Sequence, residues 1–170
     1  MAGAVLPDVL ASDLRLIFCG TAPSRVSMRA RAYYANPGNG FWRALHDCGL
    51  TPGRLRPEAY RELLALGIGL TDLNKTEWGN DDELSPAACD VAAFVAKMRR
   101  HRPRAVAFTS KTAAALFFGR PTAAVGLGRQ EGTLDGAALF VLPSTSGQAR
   151  RWFTMAPWHE LARAVGDVPP

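Results

Sequence analysis

Three short segments of this chain combine small residues with hydroxyls or positive charge, a combination that lets backbone close around an anion. They are Gly20-Thr21-Ala22-Pro23-Ser24, Thr109-Ser110-Lys111-Thr112 and Pro143-Ser144-Thr145-Ser146-Gly147-Gln148-Ala149-Arg150-Arg151. Small side chains allow N–H groups and helix N-termini to approach a phosphate, and the hydroxyls and cations supply further donors. Taken singly each is an ordinary turn, but each follows a short apolar run, so all three are expected at one edge of a sheet. The stretch Tyr33-Tyr34-Ala35-Asn36-Pro37-Gly38-Asn39-Gly40-Phe41-Trp42 places adjacent tyrosines in a loop. Both cannot point into one core, so one ring is expected to be exposed, where a nucleobase could stack for about 1–3 kcal/mol. Phe41 and Trp42 start a helix and are assigned to the core.

The tract from Thr21 to His46 holds no carboxylate. The acid best placed beside the first loop is Asp72, at the end of a second apolar run. A strand-end aspartate can orient a water or stabilise positive charge, and it can equally serve as a cap or turn residue. The hydroxyls of Thr21 and Ser144 are further candidates for holding a water. Arg25, Arg29 and Arg31 make the first loop more basic than a turn requires, and Arg150 with Arg151 does the same for the last; two such clusters flanking a pocket favour phosphate contact.

These loops need a frame to hold them. Leu14 to Cys19, stopped by Gly20, reads as a buried strand, Gly67 to Leu73 as a second, Ala105 to Phe108 as a third and Ala138 to Leu142 as a fourth. Helices are predicted over Phe41 to Cys48, from Pro57 to about Leu66, from the Ser85-Pro86 pair to Arg100, over Lys111 to Phe118, and from Pro157 to Val165. Gly126 to Asp135 reads as turn-rich. Strands that alternate with helices and are nearly continuous in apolar residues imply an α/β fold whose parallel sheet is covered on both faces, with functional loops at the strand C-terminal ends.

At 170 residues, with 48% hydrophobic and 21% charged, the chain is long enough for one sizeable core. A single domain over 1–170 and a monomer are expected. Its formal charge of +5 favours a polyanionic partner. Cys19, Cys48 and Cys89 are odd in number and far apart, which points to small core residues in a reducing compartment. His46, His101 and His159 are equally scattered, so no metal and no cofactor is expected. No signal-peptide pattern and no long apolar run is present, and a cytoplasmic protein without membrane contact is anticipated.

Taken in order, Phe18-Cys19-Gly20-Thr21-Ala22-Pro23-Ser24, Asn36-Pro37-Gly38-Asn39-Gly40-Phe41-Trp42, Gly67-Ile68-Gly69-Leu70-Thr71-Asp72 and Leu142-Pro143-Ser144-Thr145-Ser146-Gly147 followed by Arg150 resemble the uracil-DNA glycosylase superfamily, in particular its mismatch-specific uracil and thymine branch. The likeness runs from about Leu14 to Arg150. It implies a three-layer α/β/α sandwich with a central, mainly parallel four-stranded sheet. It also implies an enzyme that flips uracil out of DNA and hydrolyses its glycosidic bond without metal. By position, Tyr34 is the aromatic that stacks on the flipped base, with Ala22 and Asn39 beside it. Lys111 with its neighbour Ser110 matches a phosphate-binding helix start, and Ser146, Gly147, Gln148 and Arg150 match the loop that enters the duplex; Ser24, Arg25 and Arg151 are added as DNA-contact candidates from their loops' composition and charge.

The chain departs from that pattern at two places. Ala22 stands where the mismatch-specific branch carries an Asn that orients the water, and Ser144 replaces the Asn or His of the last loop. Losing one well-placed polar group in an active site costs about 10²–10³ in rate where no substitute exists. That arithmetic turns attention to Asp72, Thr21 and Ser144 as the catalytic candidates. Three cysteines cannot supply a cluster held by four thiolates, which sets aside the iron–sulfur branches. Competing expectations are a glycosylase for hypoxanthine or for thymine opposite guanine, and a non-catalytic binder of damaged or single-stranded DNA. A nucleotide-binding domain is disfavoured because Gly126-Leu127-Gly128 lacks the GxGxxG or P-loop spacing.

Overall fold

A computed structural model describes residues 3–166; the first two and last four positions of the expected 1–170 domain lie outside them. The strands are β1 (Leu16–Gly20), β2 (Ile68–Asp72), β3 (Ala105–Phe108), β4 (Gly128–Leu134) and β5 (Ala137–Val141). The α-helices are α1 (Arg25–Ala30), α2 (Phe41–Asp47), α3 (Val91–His101), α4 (Lys111–Phe118) and α5 (Ala156–Val165). They build one sheet in the order β2-β1-β3-β5-β4, parallel throughout except for β4.

Side chains alternate across the sheet and bury both faces, which is why the parallel strands read as unbroken apolar runs. Leu16 and Phe18 share one core with Phe41, Trp42 and Leu45 of α2 and Trp158, Leu161 and Val165 of α5. Ile17 and Cys19 share the other with Phe94 and Met98 of α3 and Ala113, Ala114 and Ala115 of α4. The result is the three-layer α/β/α sandwich. Of the cysteines, Cys19 lies in the core, while Cys48 and Cys89 are only half-buried.

Four elements differ from expectation. The sheet has five strands, because the polar segment Gly128–Leu134 forms an antiparallel edge strand on β5 with a register break between Arg129 and Thr133. An edge strand pairs on one side only and needs no apolar run, so its glycines looked like turns. Helix α1 lies inside the segment from Gly20 to about Gly40, expected as one long loop; it is begun by the Ser24 hydroxyl, which accepts from the Ser27 N–H at 3.1 Å. Helix α3 starts at Val91, not Pro86. Asp90 caps it by accepting from the Ala93 N–H at 2.9 Å, and Ser85-Pro86 opens only a 3₁₀ turn, Pro86–Ala88. Pro57–Leu66 is a 3₁₀ segment interrupted at Ala59, whose ψ of 15° leaves helical geometry.

Arg15, buried at the foot of β1, closes the end of the sheet opposite the loops. Its guanidinium donates to the carbonyls of Leu66 at 2.7 Å, Gly166 at 2.8 Å and Leu50 at 2.9 Å, joining three separate segments. Hydrogen bonds from a charged donor contribute about 1.5–3 kcal/mol each and buried carbonyls lose them together, so Arg15→Leu is expected to cost roughly 3 kcal/mol or more. A urea unfolding midpoint unchanged from the parent chain would contradict this.

Candidate active site

The C-terminal ends of β1, β2, β3 and β5 meet at one edge, and the geometry there is set by register. Gly20, the last residue of β1, pairs with Asp72, the last of β2. The pairing continues past the strands: the Leu73 N–H donates to the Gly20 carbonyl at 3.0 Å and the Asn74 N–H to that of Thr21 at 2.8 Å. On the other side of β1, the Thr109 N–H donates to the Cys19 carbonyl at 3.0 Å. Gly20 is therefore flanked by Asp72 and Thr109. A Cβ at position 20 would lie 2.7 Å from Asp72 Oδ1, 3.1 Å from the Tyr34 hydroxyl and 3.2 Å from Thr109 Oγ1. Only a hydrogen fits where three polar side chains converge.

Asp72 is 5% exposed, and its Oδ2 has no hydrogen-bond partner among the described residues. It caps no helix. Burial pushes its pKa up to about 6, against the opposing pull of the Lys75 ammonium. The two nearby lysines are already engaged, Lys75 at 2.8 Å and Lys97 at 2.7 Å from the Asp8 carboxylate. A carboxylate buried without a partner contributes nothing favourable to folding, and groups of that kind concentrate at functional sites.

Tyr34 leans over the same point. Its ring stacks on Phe41 with centroids 3.9 Å apart and planes at 18°, and Phe41 is in turn wedged edge-on against Phe18 and Trp158. The hydroxyl donates to Thr109 Oγ1 at 3.1 Å. Burial, with Asp72 nearby, holds the phenol pKa well above its ordinary value, so the hydroxyl stays a donor. The tyrosines differ from expectation here: Tyr33 is fully buried and Tyr34 half-buried. Tyr34 takes a left-handed backbone, φ 52°, which breaks the alternation an extended loop would impose and brings both rings inward.

The cleft bounded by these groups encloses about 640 Å³. Its floor is Gly20, Asp72, Tyr34 and Thr109, one side is the first loop, and the other is the last. Of the residues singled out in the sequence, Thr21, Ala22, Ser24, Tyr34, Asn39, Asp72, Ser110, Ser144, Ser146, Gly147 and Gln148 line it. Arg25, Lys111, Arg150 and Arg151 do not; all four are exposed around it.

Several of the polar candidates are already occupied. Ser24 and Ser110 cap α1 and α4, the latter by accepting from the Ala113 N–H at 3.0 Å. Asn39 Oδ1 accepts from the Phe41 N–H at 2.9 Å, opening α2, which leaves its amide nitrogen as the available donor. Ser144 Oγ lies 3.2 Å from both Ser146 Oγ and the Ser146 N–H, so this hydroxyl shapes the last loop. Arg25 covers the exposed Trp78 ring at 5.3 Å.

Sequence reasoning did not single out the wall formed by Gly79, Asn80, Asp81 and Asp82. Asn74 builds it: its Oδ1 accepts from the Thr76 and Glu77 N–H groups, and its amide donates to Glu77 at 2.8 Å. The Gly79 N–H then donates to the Pro23 carbonyl at 2.9 Å, fastening the wall to the first loop. The Asp81 carboxylate interacts with the Thr112 and Thr21 hydroxyls. The signal available for this was Asn-Asp-Asp-Glu as a cap-rich tract, but nothing local shows which cleft it borders.

Comparison with known proteins bears on what such a cleft does. Residues 7–164 match the sequence profile of the uracil DNA glycosylase superfamily. The fold is similar to the solution NMR structure of a protein from Methanosarcina acetivorans described as a candidate uracil DNA glycosylase, with a TM-score of 0.57 and 24% identity over 92% of this chain and 96% of that one.

Proposed function

The chain belongs to the uracil DNA glycosylase superfamily, which places it among the DNA-repair hydrolases that cleave N-glycosidic bonds, and from that premise we propose that it flips uracil out of DNA and hydrolyses it away, with Asp72 in the part that Asn plays in the mismatch-specific branch. The observation that carries this reading is the buried Asp72 carboxylate, whose Oδ2 has no hydrogen-bond partner among the described residues, beside Gly20 at the floor of the cleft. Departure of the base leaves an oxocarbenium-like sugar and an anionic uracil, so the site must stabilise positive charge at C1′ and aim a water at it. An ionised Asp72 does both. The water oxygen bonds to C1′ as the glycosidic electron pair leaves with the base, the carboxylate takes the water proton, and the base anion is reprotonated from solvent.

The remaining residues then divide by task. Tyr34, pinned on Phe41, offers its other face to the flipped base, while the Ala22 backbone and the Asn39 amide supply donors to it. Thr21 and Ser144 are weaker candidates for holding the water, because the Thr21 hydroxyl is engaged with Asp81 and the Ser144 hydroxyl with Ser146. Ser24, Arg25, Ser110 and Lys111 line or flank the damaged strand's phosphates, and Ser146, Gly147, Gln148, Arg150 and Arg151 enter or grip the duplex. The protein acts as a monomer, without metal or cofactor. Among the described residues no helix is long and apolar enough to cross a membrane.

The test is alkaline strand cleavage of oligonucleotides carrying uracil, hypoxanthine, or thymine opposite guanine, after incubation with the protein in chelator. Uracil is expected to be released fastest. Fastest release of hypoxanthine or thymine would reassign the base, activity that returns only with added zinc or magnesium would reject the metal-independent mechanism, and tight binding without cleavage would make the chain a damage binder. A separate expectation concerns the arginines. Replacing Arg150 and Arg151 together by Gln should weaken DNA binding and reduce the slope of log affinity against log salt by about 1–2, since each lost phosphate contact removes about 0.9 of a released counterion. An unchanged slope would show that neither touches the backbone.

A further inference from the structure

We propose that a second cavity, on the far side of the last loop, is a subsite for the nucleotide next to the flipped one on the same strand; this rests on the reading of DNA as the substrate. The cavity encloses about 430 Å³ and shares Gly38, Ser144, Thr145 and Ser146 with the main cleft, so the same two loops wall both spaces. That partition is held in place. The Gly40 N–H donates to the Thr145 carbonyl at 2.9 Å, and Gly147 packs against Gly38 at van der Waals distance, a Cβ there lying 3.4 Å from the Gly38 carbonyl oxygen.

The lining of the second cavity has the chemistry of a nucleotide site. Arg43 reaches it from the first turn of α2 and Arg150 from the 3₁₀ segment Gly147–Trp152, and neither forms an ion pair among the described residues. Asp47, the acid on the same wall, stands 3.6 Å from His46 Nδ1. Phe153 and Met155, both half-buried, add an apolar surface. Two guanidinium groups from different elements suit one phosphate, because each presents paired donors that match its oxygens. An aromatic ring beside them suits a base or sugar of any sequence. A strand crossing the partition at Gly38 would set one nucleotide in each cavity.

The experiment uses the full chain and single-stranded oligonucleotides bearing a tetrahydrofuran abasic analogue, so that no excision is needed, with the analogue at the 5′ end, at the 3′ end or internal. Fluorescence anisotropy is expected to show that removing the nucleotides on one side, and one side only, weakens binding tenfold or more. In Arg43→Gln, an exposed substitution, that asymmetry should fall to within about twofold, as a lost charge-assisted phosphate contact would make it. Equal losses on both sides, or an asymmetry unchanged in Arg43→Gln, would overturn the proposal. An Arg43-dependent gain seen only in duplexes would also overturn it, by assigning the cavity to the complementary strand. Failure of every oligonucleotide to bind would overturn the DNA reading itself, and the subsite with it.

Discussion

Asp72→Asn is expected to slow single-turnover base excision by about 10²–10³, the effect of losing one aimed polar group in an active site, while DNA affinity changes by less than about threefold, because the carboxylate acts on charge that exists only in the transition state. The same substitution should leave the melting temperature unchanged or raise it. Asp72 has a folded-state pKa of about 6 against an ordinary 3.8, so protonation favours the folded chain. The stability linked to this group is fully present below about pH 4 and is lost as pH rises through about 6, a penalty on the ionised form of roughly 3 kcal/mol at 1.36 kcal/mol per pKa unit. Replacing a carboxylate that burdens the fold with a neutral isostere cannot cost stability through that charge. The excision rate runs the other way: it needs the ionised form, so it should fall as pH drops through about 6. A rate flat from pH 5 to 8 would mean that Asp72 is not the group that ionises for catalysis.

Gly20→Ala is the second large effect expected. The added methyl carbon would stand 2.7 Å from Asp72 Oδ1 and within 3.2 Å of the Tyr34 and Thr109 oxygens, so at least one of the three must move. Overpacking a site of this kind costs about 1–3 kcal/mol of stability. The larger consequence falls on rate, because a displacement of even 1 Å in a positioned group can cost about 10²-fold. Excision should therefore drop at least about 10²-fold in a chain that still folds, with the loss mostly non-additive in the Gly20→Ala, Asp72→Asn double variant, since both act on the same carboxylate. Additive losses would show that the methyl harms something other than Asp72, with the flipped base itself the nearest alternative.

Much of the frame was legible because burial on both faces writes itself into composition. Leu16 to Gly20, Ile68 to Asp72, Ala105 to Phe108 and Ala137 to Val141 are apolar wherever helices cover the sheet. Segment Gly128–Leu134 was not legible, because an edge strand with polar outward residues and glycines at positive φ resembles a turn. The position of Asp72 could be read from its strand end, since a parallel sheet presents all such ends on one side. Its neighbours could not, because the meeting of Thr109, Tyr34 and Asp72 over Gly20 depends on which strands are adjacent and in what register. The helix hidden in the first loop had a local sign, a serine three residues before its bonded amide, masked by the preceding proline. Nothing local in the sequence marks Arg43; that it borders a second cavity follows only from the way the last loop folds back on the start of α2.

The most direct test of the account is chromatographic measurement of free uracil released, in chelator at pH 7.5, from a uracil-containing oligonucleotide held with excess protein, for the parent chain and Asp72→Asn side by side. The account predicts one uracil per strand from the parent chain and release at least about 100-fold slower from the variant, with both proteins folded and bound to the DNA. Equal rates from the two, or no base released by the parent chain, would contradict it.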